Sequence, residues 1–185
     1  MKIYTHEEQF TGEACVLALG MFDGVHMGHR RLIRTAVSLA RDAGVPAVVD
    51  TFAQHPLQVL FPERAPQQLL TNEQRADKIA ALGVDVLVMR PFTREYAAQP
   101  PETFLRELCR ALRPMHIVVG FNYTFGSKGA GDVQLLERMS QQLGYRLTVI
   151  QPVTEGGETV SSTRIRRLLA GGDVTAAQRL LDDAE

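Results

Sequence analysis

No apolar run in the 185-residue sequence approaches the roughly 18 residues needed to cross a bilayer as a helix. Neither sign of charge is in excess, since 20 basic against 21 acidic side chains leave a formal net charge of −1. The first absence excludes a helical membrane span, and the second argues against an extended nucleic-acid surface while leaving room for a local anion pocket. Cysteine is scarce as well. Cys15 and Cys109 lack metal-ligand spacing, and each reads as a small core residue in a reducing compartment. The N-terminus, with Glu7 and Glu8 ahead of a short apolar run, lacks the form of a signal peptide, so a cytoplasmic protein is expected. Internal repeats and low-complexity segments are also missing. What is present is an ordinary globular composition, 45% hydrophobic and 22% charged, long enough for one domain with a sizeable core.

Short, β-branched apolar runs alternate with helical patterns. Residues 16–21, 47–52, 84–89, 115–119 and 147–150 read as strands, and residues 30–43, 71–82, 102–112 and 132–143 as helices. Gly44, Gly83 and Gly144 stop three of these helices, Thr71 with Gln74 opens one, and Pro101 precedes another. This order predicts an α/β protein with a doubly wound, five-stranded parallel sheet, right-handed crossovers and helices on both faces. A small C-terminal helical segment follows at 161–181, broken at Gly171-Gly172, with Asp173 as an N-cap. Residues 54–70, with prolines at 56, 62 and 66, read as a long irregular loop of functional interest.

The segment after the first strand is GMFDGVHMGH, residues 20–29. In an open parallel sheet, ligands bind beyond the carboxyl ends of the strands, where the strand order reverses. Gly20 and Gly24 permit tight backbone geometry, and Gly28 leaves space for a ligand beside the main chain. His26 and His29, three residues apart at a helix start, can face one side. Their ring N–H groups, the first-turn amides and the positive end of the helix dipole then converge on one anion, which suits a phosphate chain whose charge shifts during reaction. A metal pair fits less well, because no third ligand stands nearby. Histidines that merely cap or solvate a turn are the plainer alternative.

Three later segments fall at comparable positions. Thr51-Phe52-Ala53-Gln54-His55-Pro56 follows the second strand, where Phe52 offers a flat apolar face and Pro56 stiffens the exit. Gly120-Phe121-Asn122-Tyr123-Thr124-Phe125-Gly126 follows the fourth, with the Asn122 amide available to phosphate or ribose oxygens and Phe125 as an aromatic wall. Val160-Ser161-Ser162-Thr163-Arg164-Ile165-Arg166 opens the last helical segment with two serine hydroxyls, first-turn amides and a permanently charged donor fork, a second anion-binding helix start. In isolation each also reads as core packing or as an ordinary helix cap.

In sequence and order these segments resemble the adenylyltransferase module of prokaryotic FAD synthetases, within the wider HxGH nucleotidyltransferase group. The resemblance extends from about Gly20 to Leu181 and includes the smaller segments Leu82-Gly83-Val84-Asp85 and Phe92-Thr93. It implies a Rossmann-like fold in a single domain, with a nucleotidyltransferase core at about 12–155 and a helical segment at about 160–181. The implied reaction converts ATP and FMN to FAD and diphosphate, with Mg2+ bridging phosphate oxygens and no nucleic-acid or membrane partner. By the same resemblance, His26, His29, Asn122 and Arg164 serve catalysis. Gly20, Phe22, Asp23, Gly24, Gly28, Ser161, Ser162 and Thr163 join the two histidines and Arg164 around ATP, and Phe52, His55, Pro56, Asn122 and Phe125 surround the flavin. No carboxylate cluster identifies a metal ligand. Asp23 stands closest, and a role in the turn explains it as well.

Two departures accompany the resemblance. The loop Ser127-Lys128-Gly129-Ala130-Gly131-Asp132 has glycine where arginine is common, with Lys128 one place earlier. The chain ends at Asp182-Asp183-Ala184-Glu185, where a riboflavin kinase barrel would begin, so no riboflavin kinase activity is expected of it. Two alternatives stay open: a nucleotidyltransferase for another phosphorylated acceptor, such as a nicotinate mononucleotide or a phosphopantetheine, and a flavin-nucleotide-binding module without turnover. Oligomeric state is not legible.

Overall fold

Five of the six strands of the main sheet are runs of small and branched apolar residues, and their alternation sends successive side chains to two separate cores. The computed structural model describes residues 1–182. The reading attached to the end of the chain falls partly on residues 183–185, which lie outside the described residues. The strands are β1 (Lys2–Tyr4), β2 (Cys15–Leu19), β3 (Ala47–Phe52), β4 (Val86–Arg90), β5 (Pro114–Gly120) and β6 (Arg146–Ile150), in the order β1-β4-β3-β2-β5-β6, with every pairing parallel. The sheet therefore has six strands where the sequence pattern predicts five. The additional strand, β1, is only three residues long, too short to show a period, and it exists through its pairing with β4.

Four helices cover the two faces. Leu32, Ile33, Ala36 and Ala40 of α1 (Met27–Ala43), with Ala76 and Ile79 of α3 (Asn72–Ala81), pack on Val16, Ala18, Val49, Leu87 and Val118. On the opposite face, Phe104, Leu105, Leu108 and Leu112 of α5 (Pro101–Leu112), with Leu135, Leu136 and Met139 of α6 (Val133–Leu143), pack on Leu17, Leu19, Val48, Val88 and Ile117. Cys15 belongs to this second core and Cys109 packs against it, both as free thiols, and burial pushes both thiols up to about 12. No helix among the described residues is long and apolar enough to cross a membrane.

Between β3 and α3 the chain is more ordered than its three prolines suggest. Pro56 starts α2 (Pro56–Leu60), capped by His55, and Pro62 starts a 3-10 turn over Pro62–Arg64, so these prolines occupy first helical positions instead of breaking structure. A short helix α4 (Arg94–Ala97) follows β4. After β6, the hairpin β7 (Thr154–Glu155) and β8 (Glu158–Thr159) turns on Gly156 and Gly157, both at positive φ. The C-terminal helices α7 (Ser162–Ala170) and α8 (Val174–Leu181) enclose a third, smaller core of Val160, Ile165, Ala177 and Leu180. Met27 and Leu69 pack against that core, so the C-terminal pair sits beside the start of α1.

Candidate active site

Because β3 and β4 lie on one side of β2 while β5 and β6 lie on the other, the loops leaving β2 and β5 diverge at the carboxyl edge of the sheet. A cavity of about 530 Å³ fills the crevice between them. Gly20, Phe22 and His29 line it from the first loop, and Phe52, His55 and Pro56 from the segment after β3. Asn122, Phe125 and Lys128 line it from the loop after β5. His26, Asp23, Gly24 and Gly28 lie outside its lining, as do Ser161, Ser162, Thr163 and Arg164.

The first loop takes its shape from residues other than its glycines. Left-handed backbone falls on Phe22 and Val25, with φ of 48° and 45°, whereas Gly20, Gly24 and Gly28 are not among the positive-φ residues. The glycines supply room instead. A Cβ on Gly20 would stand 2.8 Å from the Phe22 ring, and one on Gly24 would stand 2.9 Å from Leu69. The space beside Gly28, expected to admit ligand, is occupied by the His26 ring, which a Cβ there would meet at 3.3 Å.

The two imidazoles lie together at the start of α1. They stack, with centroids 3.7 Å apart and planes inclined by 16°, and the Phe22 ring meets His29 edge-on at 5.3 Å. His26 is the N-cap of α1: its Nδ1 accepts a hydrogen bond from the His29 amide at 3.4 Å, which is why the helix begins at Met27 and not at the predicted Arg30. With Nδ1 accepting, the ring proton resides on Nε2. Burial pushes the His26 pKa down to about 4. His29 falls well below its ordinary value too, through burial first and then through the neighbouring His26 and Arg75. Both rings are thus neutral near pH 7, each with one N–H to donate. The Nδ1 of His29 is buried without a protein partner among the described residues.

Arg75, absent from the sequence reading, braces this corner. It is 1% exposed; one Nη donates to the Met21 carbonyl at 3.1 Å, and the other to Phe52 O at 2.6 Å, Ala53 O at 3.3 Å and Asn72 Oδ1 at 2.8 Å. A single cation therefore ties the loop after β2 to the segment after β3. Asp23 is committed to a different bracing task. Its carboxylate accepts from the Leu69 amide at 3.2 Å and pairs with the Arg166 guanidinium, which joins the first loop to α7. Among the described residues, no group of three or more His, Cys, Asp or Glu is arranged to hold a metal ion.

At the second predicted anion site, Ser161 caps α7 through its hydroxyl, which accepts from the Arg164 amide at 3.2 Å. The Arg164 guanidinium turns away to the β7–β8 hairpin, donating to the carbonyls of Glu155 at 2.9 Å and Glu158 at 2.8 Å and pairing with the Glu158 carboxylate. Ser162 and Thr163 occupy the first turn of the helix.

Behind the aromatic walls lies a polar cluster that the motifs did not disclose. Asp50 lines the cavity at 5% exposure and pairs with Arg90, itself 3% exposed, which also contacts Glu7 at 2.7 Å. Burial pushes the Asp50 carboxyl up to about 6 against the pull of Arg90. The Arg90 guanidinium carbon lies 5.3 Å from the centroid of Tyr96, and Tyr96, Phe92 and Phe104 complete the cavity wall beside Phe52 and Phe125. One signal was available in the sequence: Asp50 and Arg90 interrupt two otherwise apolar runs with opposite charges.

A family model described as FAD synthetase matches residues 8–164 of the chain. A bifunctional riboflavin kinase/FMN adenylyltransferase of Listeria monocytogenes is 35% identical over 184 residues, covering 97% of this chain and 58% of that protein. A second Listeria monocytogenes protein, described as an FAD synthetase, is 34% identical over 170 residues, covering 91% of this chain and 68% of that one. The chain thus spans little more than half the length of the bifunctional relative. Among solved structures, a Streptococcus pneumoniae chain described as a macrolide-efflux protein superposes with a TM-score of 0.85 at 29% identity, covering 97% of this chain and 59% of that one.

Proposed function

Because this chain belongs to the FAD synthetase family, we propose that it is an FMN adenylyltransferase, transferring AMP from ATP to FMN. An oxygen of the FMN phosphate attacks the α-phosphorus of ATP, the bond from that phosphorus to the bridging β-oxygen breaks, and diphosphate leaves with the electron pair. The FMN phosphate is already anionic near neutral pH, so the step requires alignment and charge stabilisation more than a base. The observation that carries this reading is the cavity at the sheet reversal, walled by Phe52 and Phe125 and closed at one end by the start of α1.

In this reading the flavin lies against Phe52, Phe125 and Pro56, with His55 at the rim, and the triphosphate runs along the start of α1. The neutral His29 and His26 donate N–H bonds to phosphate oxygens as charge builds, assisted by the Met27 and Gly28 amides, which have no acceptor within the helix. Asn122 positions the phosphates between the two substrates. Ser161, Ser162, Thr163 and the first turn of α7 receive the departing diphosphate, with Arg164 swinging from the hairpin to join them. Gly20, Phe22 and Gly24 shape the loop, and Asp23 acts through its tie to Arg166. Mg2+ arrives on the ATP phosphates as part of the substrate; the described residues provide it no carboxylate set.

Incubation with ATP, Mg2+ and each of several acceptors tests the reading. FAD and diphosphate should form in equal amounts from FMN, while nicotinate mononucleotide and phosphopantetheine remain unchanged. Turnover of another acceptor without FMN turnover overturns the reading, and so does tight binding of ATP and FMN without release of diphosphate.

A further inference from the structure

We propose that Asp50 is a specificity-determining residue, whose unengaged carboxylate oxygen accepts a hydrogen bond from the ring N–H of a flavin bound in the cavity. The inference rests on the reading above in placing a flavin among the aromatic walls. It goes further by fixing which edge of the ring system faces the sheet.

Asp50 stands in β3 with Leu19 of β2 and Val88 of β4 as its register partners, and it is the one carboxylate among the described residues that line the 530 Å³ cavity. It is 5% exposed. Arg90 engages Oδ2, whereas Oδ1 receives no hydrogen bond from the protein among the described residues. The side-chain atoms that are both sealed and unpartnered among these residues are His29 Nδ1, Arg75 Nε, Arg90 Nε and the Tyr96 hydroxyl oxygen. Oδ1 does not belong to that group, so it keeps open surface, and on an interior strand the open side of Asp50 is the cavity that it lines. A carboxylate oxygen this far from bulk solvent calls for a donor.

The chemistry of that donor follows from the surroundings. Burial pushes the Asp50 carboxyl up to about 6, which leaves it ionised at pH 7.5 and therefore an acceptor only. The wall beside it, built from Phe52, Phe92, Tyr96 and Phe104, suits a flat ring, so the donor belongs in the plane of such a ring. Oxidised flavin carries a single ring N–H, at N3, on the edge away from its dimethylbenzene ring. Bonding to an ionised acceptor strengthens the contact. Adenine would bring its 6-amino group instead, and for that reason the test includes ATP.

Asp50→Asn keeps the size and shape of the side chain. Its amide oxygen has to face the Arg90 guanidinium, which only donates, so the NH2 group turns to the cavity and meets the ring N–H donor to donor. FMN and N3-methyl-FMN, which differ only in that N–H, are titrated into both proteins at pH 7.5 by quenching of flavin fluorescence. ATP and N6,N6-dimethyl-ATP are titrated by calorimetry, and thermal unfolding is followed without ligand. The wild type should bind FMN at least about tenfold more tightly than N3-methyl-FMN, and the variant should lose about tenfold of that preference. The ATP pair should keep one ratio in both proteins. Equal weakening of both flavins is what a merely structural role predicts and overturns the proposal, as does a preference that follows residue 50 only in the ATP pair. The wild type alone supplies a further readout. With FMN labelled with 15N at N3, the bound N3 proton should shift downfield and exchange slowly, and exchange as free as in unbound FMN overturns the proposal even where the variant fails to fold. Because these are binding measurements, a wild type that binds FMN without forming FAD would overturn the reaction and not the contact.

Discussion

His26 has two structural dependants, the first turn of α1 and the ring of His29, and both require it neutral. As the N-cap it must offer a free Nδ1 lone pair, and protonation would replace that acceptor with a donor facing the His29 amide. Its native pKa of about 4 lies below the ordinary 6.5, so between those values the unfolded chain binds a proton that the native protein refuses. Stability is therefore complete above pH 6.5 and declines as pH falls toward 4, by up to about 3 kcal/mol from this group. His26→Asn keeps a capping acceptor without titrating. Urea unfolding at several pH values should show the wild type losing about 3 kcal/mol more than the variant between pH 6.5 and 4, and parallel curves would remove His26 as the source. Arg75 sets a second residue-scale expectation. Replacing it by Met leaves the carbonyls of Met21, Phe52 and Ala53 without their donor, at a cost of about 3 kcal/mol or more. It also removes a charge that depresses His29, whose ring should then titrate at higher pH by NMR. Lys at position 75 keeps the charge, so it should hold the His29 titration near that of the wild type even where it restores only part of the stability.

At the scale of elements, the loop after β5 shows how a short motif becomes one wall of the cavity. Gly126 has φ 71° and ψ −175°, a region essentially closed to other residues, and a Cβ there would stand 2.5 Å from Pro101 Cα. Gly126→Ala therefore combines backbone strain with collision against the first turn of α5, and it should cost about 2–5 kcal/mol in chemical denaturation. A change under 1 kcal/mol would mean that the loop packs more loosely than this contact implies. The same scale explains which parts of the fold were legible. Helix ends carried by local chemistry were readable: the left-handed caps Gly44 and Gly144, the Thr71–Gln74 capping box, Pro101 at the first helical position, and Asp173 as a cap. The start of α1 was hidden because its cap is a histidine, an unusual residue for that position, and α2 because proline signals a helix start and a break with the same letter. Long-range pairing was hidden altogether. Asp50 opposes Val88 while Phe52 opposes Arg90, which puts Asp50 and Arg90 on one face of adjacent strands as diagonal neighbours, and only the register reveals that. Of the candidate site, the loops were legible through their motifs, whereas Arg75 and Tyr96 acquire meaning only through what packs around them.

Over the whole molecule, the site draws on two bodies of unequal cohesion. The sheet and its four covering helices share two extensive cores, whereas α7 and α8 hold a small core of four buried residues. Contacts between the two among the described residues include Asp23 with Arg166, the Arg30 guanidinium donating to Leu181 O at 2.8 Å, Arg166 donating to Gln67 O at 2.7 Å, Leu69 and Leu181 packed over Gly24, and Met27 against the C-terminal core. Local stability follows the density of such contacts, so the C-terminal pair should open before the sheet does. Asp23→Asn tests this, because it removes the charge facing a partly buried Arg166 and weakens the tie by about 1–3 kcal/mol. Amide exchange in α7 and α8 should then accelerate roughly tenfold or more, with β2, β3 and β5 unchanged. If the start of α7 receives the departing diphosphate, the same variant should raise KM for ATP while leaving FMN affinity intact, since no flavin contact changes. Uniform acceleration across the chain would instead show that the helical pair and the sheet open as one unit, and the link between Asp23 and the triphosphate would then have to run through the first loop alone.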